Sequence, residues 1–181
     1  NTLCESESTP MHIGSIPGYL RGIEKNVPLS DWVEGDVVIH NHPYYGASHT
    51  PDLAIVVPVF FQGRLVGFAG NTAHHVDIGA ATPGLIIDVP DVFAEGMLLN
   101  GLKLVEAGKR NDTLWRYISG NTRVPGLVMR DLEAQIAAAE LGVKRYCELM
   151  DTYGRDTVEQ AAAQLMDYSE RMLRREIAKI P

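Results

Sequence analysis

The sequence predicts an α+β protein, a β-hairpin-rich sheet region followed by a C-terminal antiparallel helix pair. Two patterns carry that expectation. Through residue 125, short runs rich in Val, Ile and Phe alternate with Gly- and Pro-bearing turns, as strands do. From 126 to 181 the apolar residues recur at helical spacing instead. The chain therefore divides into a β-rich region, 1–125, which also holds the candidate metal site, and a helical hairpin, 126–181.

Taken in order, Pro10 and Pro17 punctuate the first thirty residues, and Gly18 to Asn26 can form two helical turns before Pro28. Asp36 to Asn41 is a compact β-branched run and reads as a strand, followed by a polar loop from Pro43 to Asp52. Leu53 to Phe61 reads as a buried strand. Gln62-Gly63-Arg64 then turns the chain into a second strand, Leu65 to Ala73. Pro58 lacks an N–H to donate, so an edge or a bulge is expected there. Five glycines break residues 76–110, leaving a short strand at Leu85 to Val89 and a short helix at Asp112 to Ile118.

Leu132, Ile136, Ala139, Val143, Tyr146 and Met150 then step by four and three, an apolar helical stripe that Gly154 ends. A second helix from about Thr157 carries Val158, Ala161, Leu165, Tyr168, Met172 and Ile177 on one side. A short turn between them gives an antiparallel hairpin packed onto the same chain, with coiled-coil self-association as the alternative.

Composition removes several function classes. At 181 residues, 45% hydrophobic and 22% charged, the chain is globular, not disordered. Its longest apolar run, Leu53 to Phe61, is half a membrane span and contains Pro58. No signal peptide is visible, and two cysteines, Cys4 and Cys147, build no disulfide framework, so a cytoplasmic location is expected. Residues 1–100 carry 11 acids against three bases, a balance of −8, whereas residues 101–181 carry 12 acids and 13 bases. A nucleic-acid face needs cations that the first half lacks. All six histidines lie in that acidic half, which suits a metal or proton-transfer site.

Chemistry concentrates in two segments, His40 to Asp52 and Asn71 to Gly79. A turn around Pro51 can converge His49 and Asp52. The hairpin centred near Gly63 returns His74 to the same end, since Asp52 and His74 are each about eleven residues from the turn. His49, Asp52 and His74 with one position open form the ligand set of a hydrolytic divalent ion of the Zn²⁺ or Mn²⁺ class. Surface or hydrogen-bonded histidines are the plainer reading of the same residues. His40 and His42 alternate on a strand and are second candidates. Asp77 is a candidate for proton transfer or ligand support, and His12 and His75 for the pocket lining. Nucleotide loops of the G-x-x-x-x-G-K-[ST] or G-x-G-x-x-G type are absent, as is a G-x-S-x-G nucleophile turn.

Several runs together resemble the hydantoinase B/oxoprolinase family: Pro10 to Ser15, Gly35-Asp36-Val37, Asn41 to Tyr44, Gly46 to Asp52, Gly70-Asn71, His74 to Gly79, Glu95-Gly96 and Asp131 to Ala138. That family includes ATP-dependent hydantoinases, oxoprolinases, caprolactamase and the large subunits of acetone and acetophenone carboxylases. The resemblance implies a metal-binding subunit working with a hydantoinase A-type, ATP-using partner that binds ATP and Mg²⁺ and phosphorylates the substrate oxygen. A cyclic amide would then be hydrolysed, or a ketone carboxylated with bicarbonate. Family metal ligands fall on His49, Asp52 and His74. A further upstream Asp ligand has no match in Asn1 to Thr9, and members run well beyond 181 residues, so the chain is expected to be part of a larger subunit in a hetero-oligomer. One departure stands out: His42 occupies the place of an Asp in the family's Asn-Asp-Pro-Tyr. Other classes compatible with the residues are a non-catalytic interaction subunit and a self-sufficient metallohydrolase.

Overall fold

The computed structural model describes residues 15–84 and 88–180. Five strands, β1 (Val37–His40), β2 (Asp52–Phe61), β3 (Arg64–His74), β4 (Leu102–Glu106) and β5 (Lys109–Arg110), form one antiparallel sheet in the order β3-β2-β1-β4-β5. Four helices accompany it: α1 (Ile16–Ile23), α2 (Asp112–Gly120), α3 (Pro125–Tyr153) and α4 (Arg155–Ile177). The fold is α+β, as expected. His12 and Cys4 lie outside the described residues, as does most of the strand expected at Leu85 to Val89.

Both faces of the central strands are covered, which explains why β1 and β2 read as unbroken apolar runs. On one face Val37, Ile39, Leu53, Ile55 and Val57 pack with Trp115 and Ile118 of α2 and with Val128, Leu132 and Ala139 of α3. On the other, Val38 and Val56 pack with Ile23, Val27 and Trp32 around α1. Helix α3 therefore shares the main core of the sheet.

The β2–β3 hairpin turns at Gln62 and Gly63, both with positive φ (52° and 75°). A two-residue turn of this hand matches the twist of the flanking strands. Pro58 lies inside β2, opposite Phe68, but beyond the stretch of β2 that β1 pairs. Its missing N–H thus interrupts no ladder with β1, and a bulge follows at once between Val59 and Phe60.

The loop after β1 is seated on α1 by glycines: a Cβ on Gly46 would fall 2.2 Å from the Gly18 carbonyl oxygen. Only a backbone without side chains allows that approach. The loop Ala47 to His49 is held there.

The C-terminal expectation needs one correction. Along α3 the stripe is covered, with Leu132, Ala139 and Met150 buried. On α4 only Val158 is buried, against Met150 and Phe61 near the turn. Leu165, Tyr168, Met172 and Ile177 remain exposed, so this side of α4 is not packed onto the rest of the chain. Its spacing was helical, but a stripe in sequence does not say what covers it. No helix among the described residues is long and apolar enough to cross a membrane.

Candidate metal centre

Asp52 and His74 are directly paired at the open end of the β2–β3 hairpin. Directly opposed residues of an antiparallel pair point to the same face. His49 approaches from the preceding turn, closed by the Asp52 N–H donating to the His49 carbonyl at 3.2 Å. The three side chains meet. His49 Nε2 is 2.7 Å and His74 Nδ1 is 3.1 Å from Asp52 Oδ1, and the two ring nitrogens are 3.1 Å apart. Among the described residues this is the one group of three or more His, Cys, Asp or Glu arranged to hold an ion.

The donor set fits a divalent cation. Two imidazole nitrogens and one carboxylate oxygen are the ligand types of zinc-class sites. Tetrahedral ligands at ordinary zinc bond lengths are about 3.3 Å from one another, close to the separations here. The group is also open on one side: Asp52 is 1% exposed, whereas the side chains of His49 and His74 are 26% and 42% exposed. Burial favours a neutral Asp52, but hydrogen bonds from Ser48, His49 and His74, with the charge of His49, outweigh it and keep its pKa below 3.8. Asp52 is an anion at neutral pH.

The supports come from distant parts of the chain. Ser48 Oγ donates to Asp52 Oδ2, and Tyr19 of α1 lies 3.1 Å from the same hydroxyl. Thr50, between His49 and Asp52, is held from two sides. Its carbonyl accepts from Asn41 Nδ2 at 2.7 Å, and its N–H donates to Glu95 Oε2 at 3.1 Å. Asn41 is fully buried and also bonds the Met97 carbonyl and the Leu99 N–H, tying the turn that carries His49 and Asp52 to the segment before β4.

His75 follows His74 and points to the opposite side. It is 1% exposed and its Nε2–H donates to Gln135 Oε1 of α3 at 2.8 Å. Gln135 Nε2 in turn donates to the Leu53 carbonyl and Asn71 Oδ1, both at 2.9 Å. Burial pushes the His75 pKa below 6.5, against the opposing pull of Gln135, so the ring is neutral. Asp77 is engaged elsewhere too. Its carboxylate accepts from the N–H groups of Gly79 and Arg123 and from the Thr122 hydroxyl, and it pairs with the Arg123 guanidinium at 2.9 Å. Burial would raise its pKa, but these donors and that cation lower it below 3.8. Asp77 holds the α2–α3 junction to the loop after β3. His40 is buried behind the loop, its Nε2 bonded to the Tyr45 carbonyl at 3.1 Å, and burial pushes its pKa down to about 4. His42 packs edge-on to Tyr44 and Tyr45. Neither joins the group of His49, Asp52 and His74.

Sequence reading assigned no task to Tyr19, Ser48, Asn41, Glu95 or Gln135. Gln135 did leave a signal, a polar residue within an otherwise apolar buried helix side. Tyr19 left none.

The hydantoinase B/oxoprolinase family model matches residues 1–181. The chain belongs to the hydantoinase B/oxoprolinase family. It is 47% identical over 184 residues to a Pseudomonas sp. (strain NS671) protein named for the B-type subunit of a D-/L-hydantoinase, covering 99% of this chain and 31% of that one. The crystal structure of the ATP-dependent caprolactamase from Pseudomonas jessenii superposes with a TM-score of 0.88 at 29% identity, covering 99% of this chain and 31% of that chain. Acetone carboxylase shares the fold, with a TM-score of 0.76 at 22% identity over 86% of this chain and 21% of that chain. This member of the family thus spans about a third of the length of these hydantoinase and caprolactamase relatives.

Proposed function

We propose that this chain is the metal-binding portion of an ATP-dependent cyclic-amide hydrolase of the hydantoinase/oxoprolinase kind. The observation that carries it is the convergence of His49, Asp52 and His74 at an exposed end of the sheet. A divalent Zn²⁺ or Mn²⁺ ion held there by His49, Asp52 and His74 would supply Lewis acidity and would activate water for attack. Asp52 contributes the negative charge that offsets the ion, and its burial shields that charge from salt. His49 and His74 contribute imidazole nitrogens on the solvent side, where a small substrate can reach them. Asn41 and Glu95 fix the backbone between His49 and Asp52, so the ligand geometry precedes substrate binding.

The 47% identity to a hydantoinase-type subunit favours the hydrolase. Ketone carboxylation is the second reading, supported by the fold shared with acetone carboxylase. This sequence carries no phosphate-binding loop, and ATP and Mg²⁺ are assigned to a separate hydantoinase A-type subunit of a hetero-oligomer. The intact complex should consume ATP with hydantoins or lactams, and a divalent ion should be lost together with turnover in His49→Ala and His74→Ala. ATP use with ketone and bicarbonate alone would move the assignment to the carboxylase. Full activity in a metal-free complex would leave this chain a non-catalytic interaction subunit, and turnover without ATP or partner would make it a self-sufficient metallohydrolase.

A further inference from the structure

Asp52 presents its two oxygens to different partners. Oδ1 faces His49 and His74, while Oδ2 accepts from Ser48 Oγ. Tyr19, wholly buried on α1, completes a chain behind Ser48: its hydroxyl accepts from the Ser48 N–H at 3.2 Å and lies 3.1 Å from Ser48 Oγ. An ionised carboxylate has no proton to give, so the Ser48 hydroxyl proton belongs on the bond to Asp52 Oδ2. That uses the one proton Ser48 Oγ has. Tyr19 must then be the donor in the remaining bond, and its proton points at Ser48.

We propose that Tyr19 and Ser48 are positioning residues for the metal centre, a directional Tyr19→Ser48→Asp52 chain that commits Oδ2 and presents Oδ1 to the ion. This rests on the metal-binding reading above. A carboxylate held through Oδ2 is steered to meet the ion through Oδ1. Tyr19 also joins the site to α1, because its ring packs edge-on against buried His40, with ring centroids 5.9 Å apart. The sheet end and the helix are thereby set as one unit.

The test measures binding of Zn²⁺ and Co²⁺ to the full chain by chelator competition, with the visible spectrum of bound Co²⁺ reporting ligand geometry. Ser48 is exposed and Tyr19→Phe keeps the ring, so folding is preserved and is checked by circular dichroism. Ser48→Ala should weaken Zn²⁺ binding roughly 10-fold or more, the scale of lost outer-shell partners, and should shift the Co²⁺ bands. Tyr19→Phe should act in the same direction more weakly, the double variant should be no worse than Ser48→Ala alone, and Ser48→Thr should restore wild-type behaviour. If wild type binds one ion and both single variants bind within twofold of it with unchanged spectra, the positioning chain is wrong. If wild type itself binds no ion, the metal-binding reading fails, and this inference with it.

Discussion

Asp52 faces His74 across the β2–β3 ladder because of a one-residue bulge at the far end of the hairpin. Near the turn Phe61 pairs with Arg64 and Phe60 with Leu65. Beyond the bulge Val59 pairs with Gly67, and that register runs to Asp52 and His74. Val66 is the extra residue. Were Val66 paired in the ladder rather than bulged, the register set by the Gln62-Gly63 turn would place Ala73 opposite Asp52. His74 would then lie on the other face of the sheet, since side chains alternate. The Val66 side chain is held by Phe61, Met150 and Val158 at the α3–α4 junction, so the helices help fix the register that pairs Asp52 with His74.

Deleting Val66 removes the bulge but leaves Gly67 opposite Val59 and His74 opposite Asp52, so divalent-ion binding should survive with most of the sheet signal in circular dichroism. Metal analysis of the purified variant decides it. Loss of the ion would show that the Val66 contacts at the α3–α4 junction, and not the register alone, hold the site.

His49→Ala and His74→Ala should each lower ion affinity by more than the roughly 10–100-fold that loss of an outer-shell partner costs. Thermal stability without metal should change little, because both rings are partly exposed. Equal metal content in wild type and variants, measured by mass spectrometry, would refute the ligand assignment.

Asn41→Ala strands the Thr50 carbonyl, the Met97 carbonyl and the Leu99 N–H in a buried place. A cost of about 3 kcal/mol is expected, read as a lower urea midpoint, together with weaker ion binding. Asp77→Ala should cost about 2–4 kcal/mol by leaving the Arg123, Thr122 and Gly79 donors without their acceptor. Its effect on ion affinity should be small, which distinguishes an anchor from a participant in the site.

Stability should fall on mild acidification. The pKa of His40 is about 4 in the folded protein against 6.5 unfolded. Between these values the unfolded chain binds more protons, so stability is full above pH 6.5 and is lost as pH drops toward about 4. The effect is about 3 kcal/mol at its limit. His75, also shifted down by burial, adds to it in the same direction. Urea titrations at pH 7.5 and pH 5 on metal-free protein measure the slope, and His40→Gln should flatten it. An unchanged slope in that variant would assign the acid sensitivity elsewhere.

Parts of the fold were legible because their information is local. Val, Ile and Phe runs around Gln62-Gly63 specify a hairpin, and a hairpin brings its own ends together, which is why His49, Asp52 and His74 could be chosen as a group. The β4–β5 hairpin was missed: Leu102 to Glu106 alternates weakly, and its tie to the fold is remote. Buried Asp36 receives the Ala107 N–H and the Lys103 ammonium there, contacts 67–71 residues away in sequence. Asn41 and Gln135 lay within recognised runs, yet their partners across 56 to 82 residues did not show.

By itself, the sequence determined the fold class, the hairpin, the long α3 and the identity of the three converging side chains, because strand alternation, turn chemistry and helical period act over a few residues. Tertiary structure decided the register that makes His74 face Asp52, the opposite orientation of His75, the anchoring contacts of Asp77 and the uncovered side of α4. Each depends on which distant surface a side chain meets, and that is set only when sheet, loop and helices pack together.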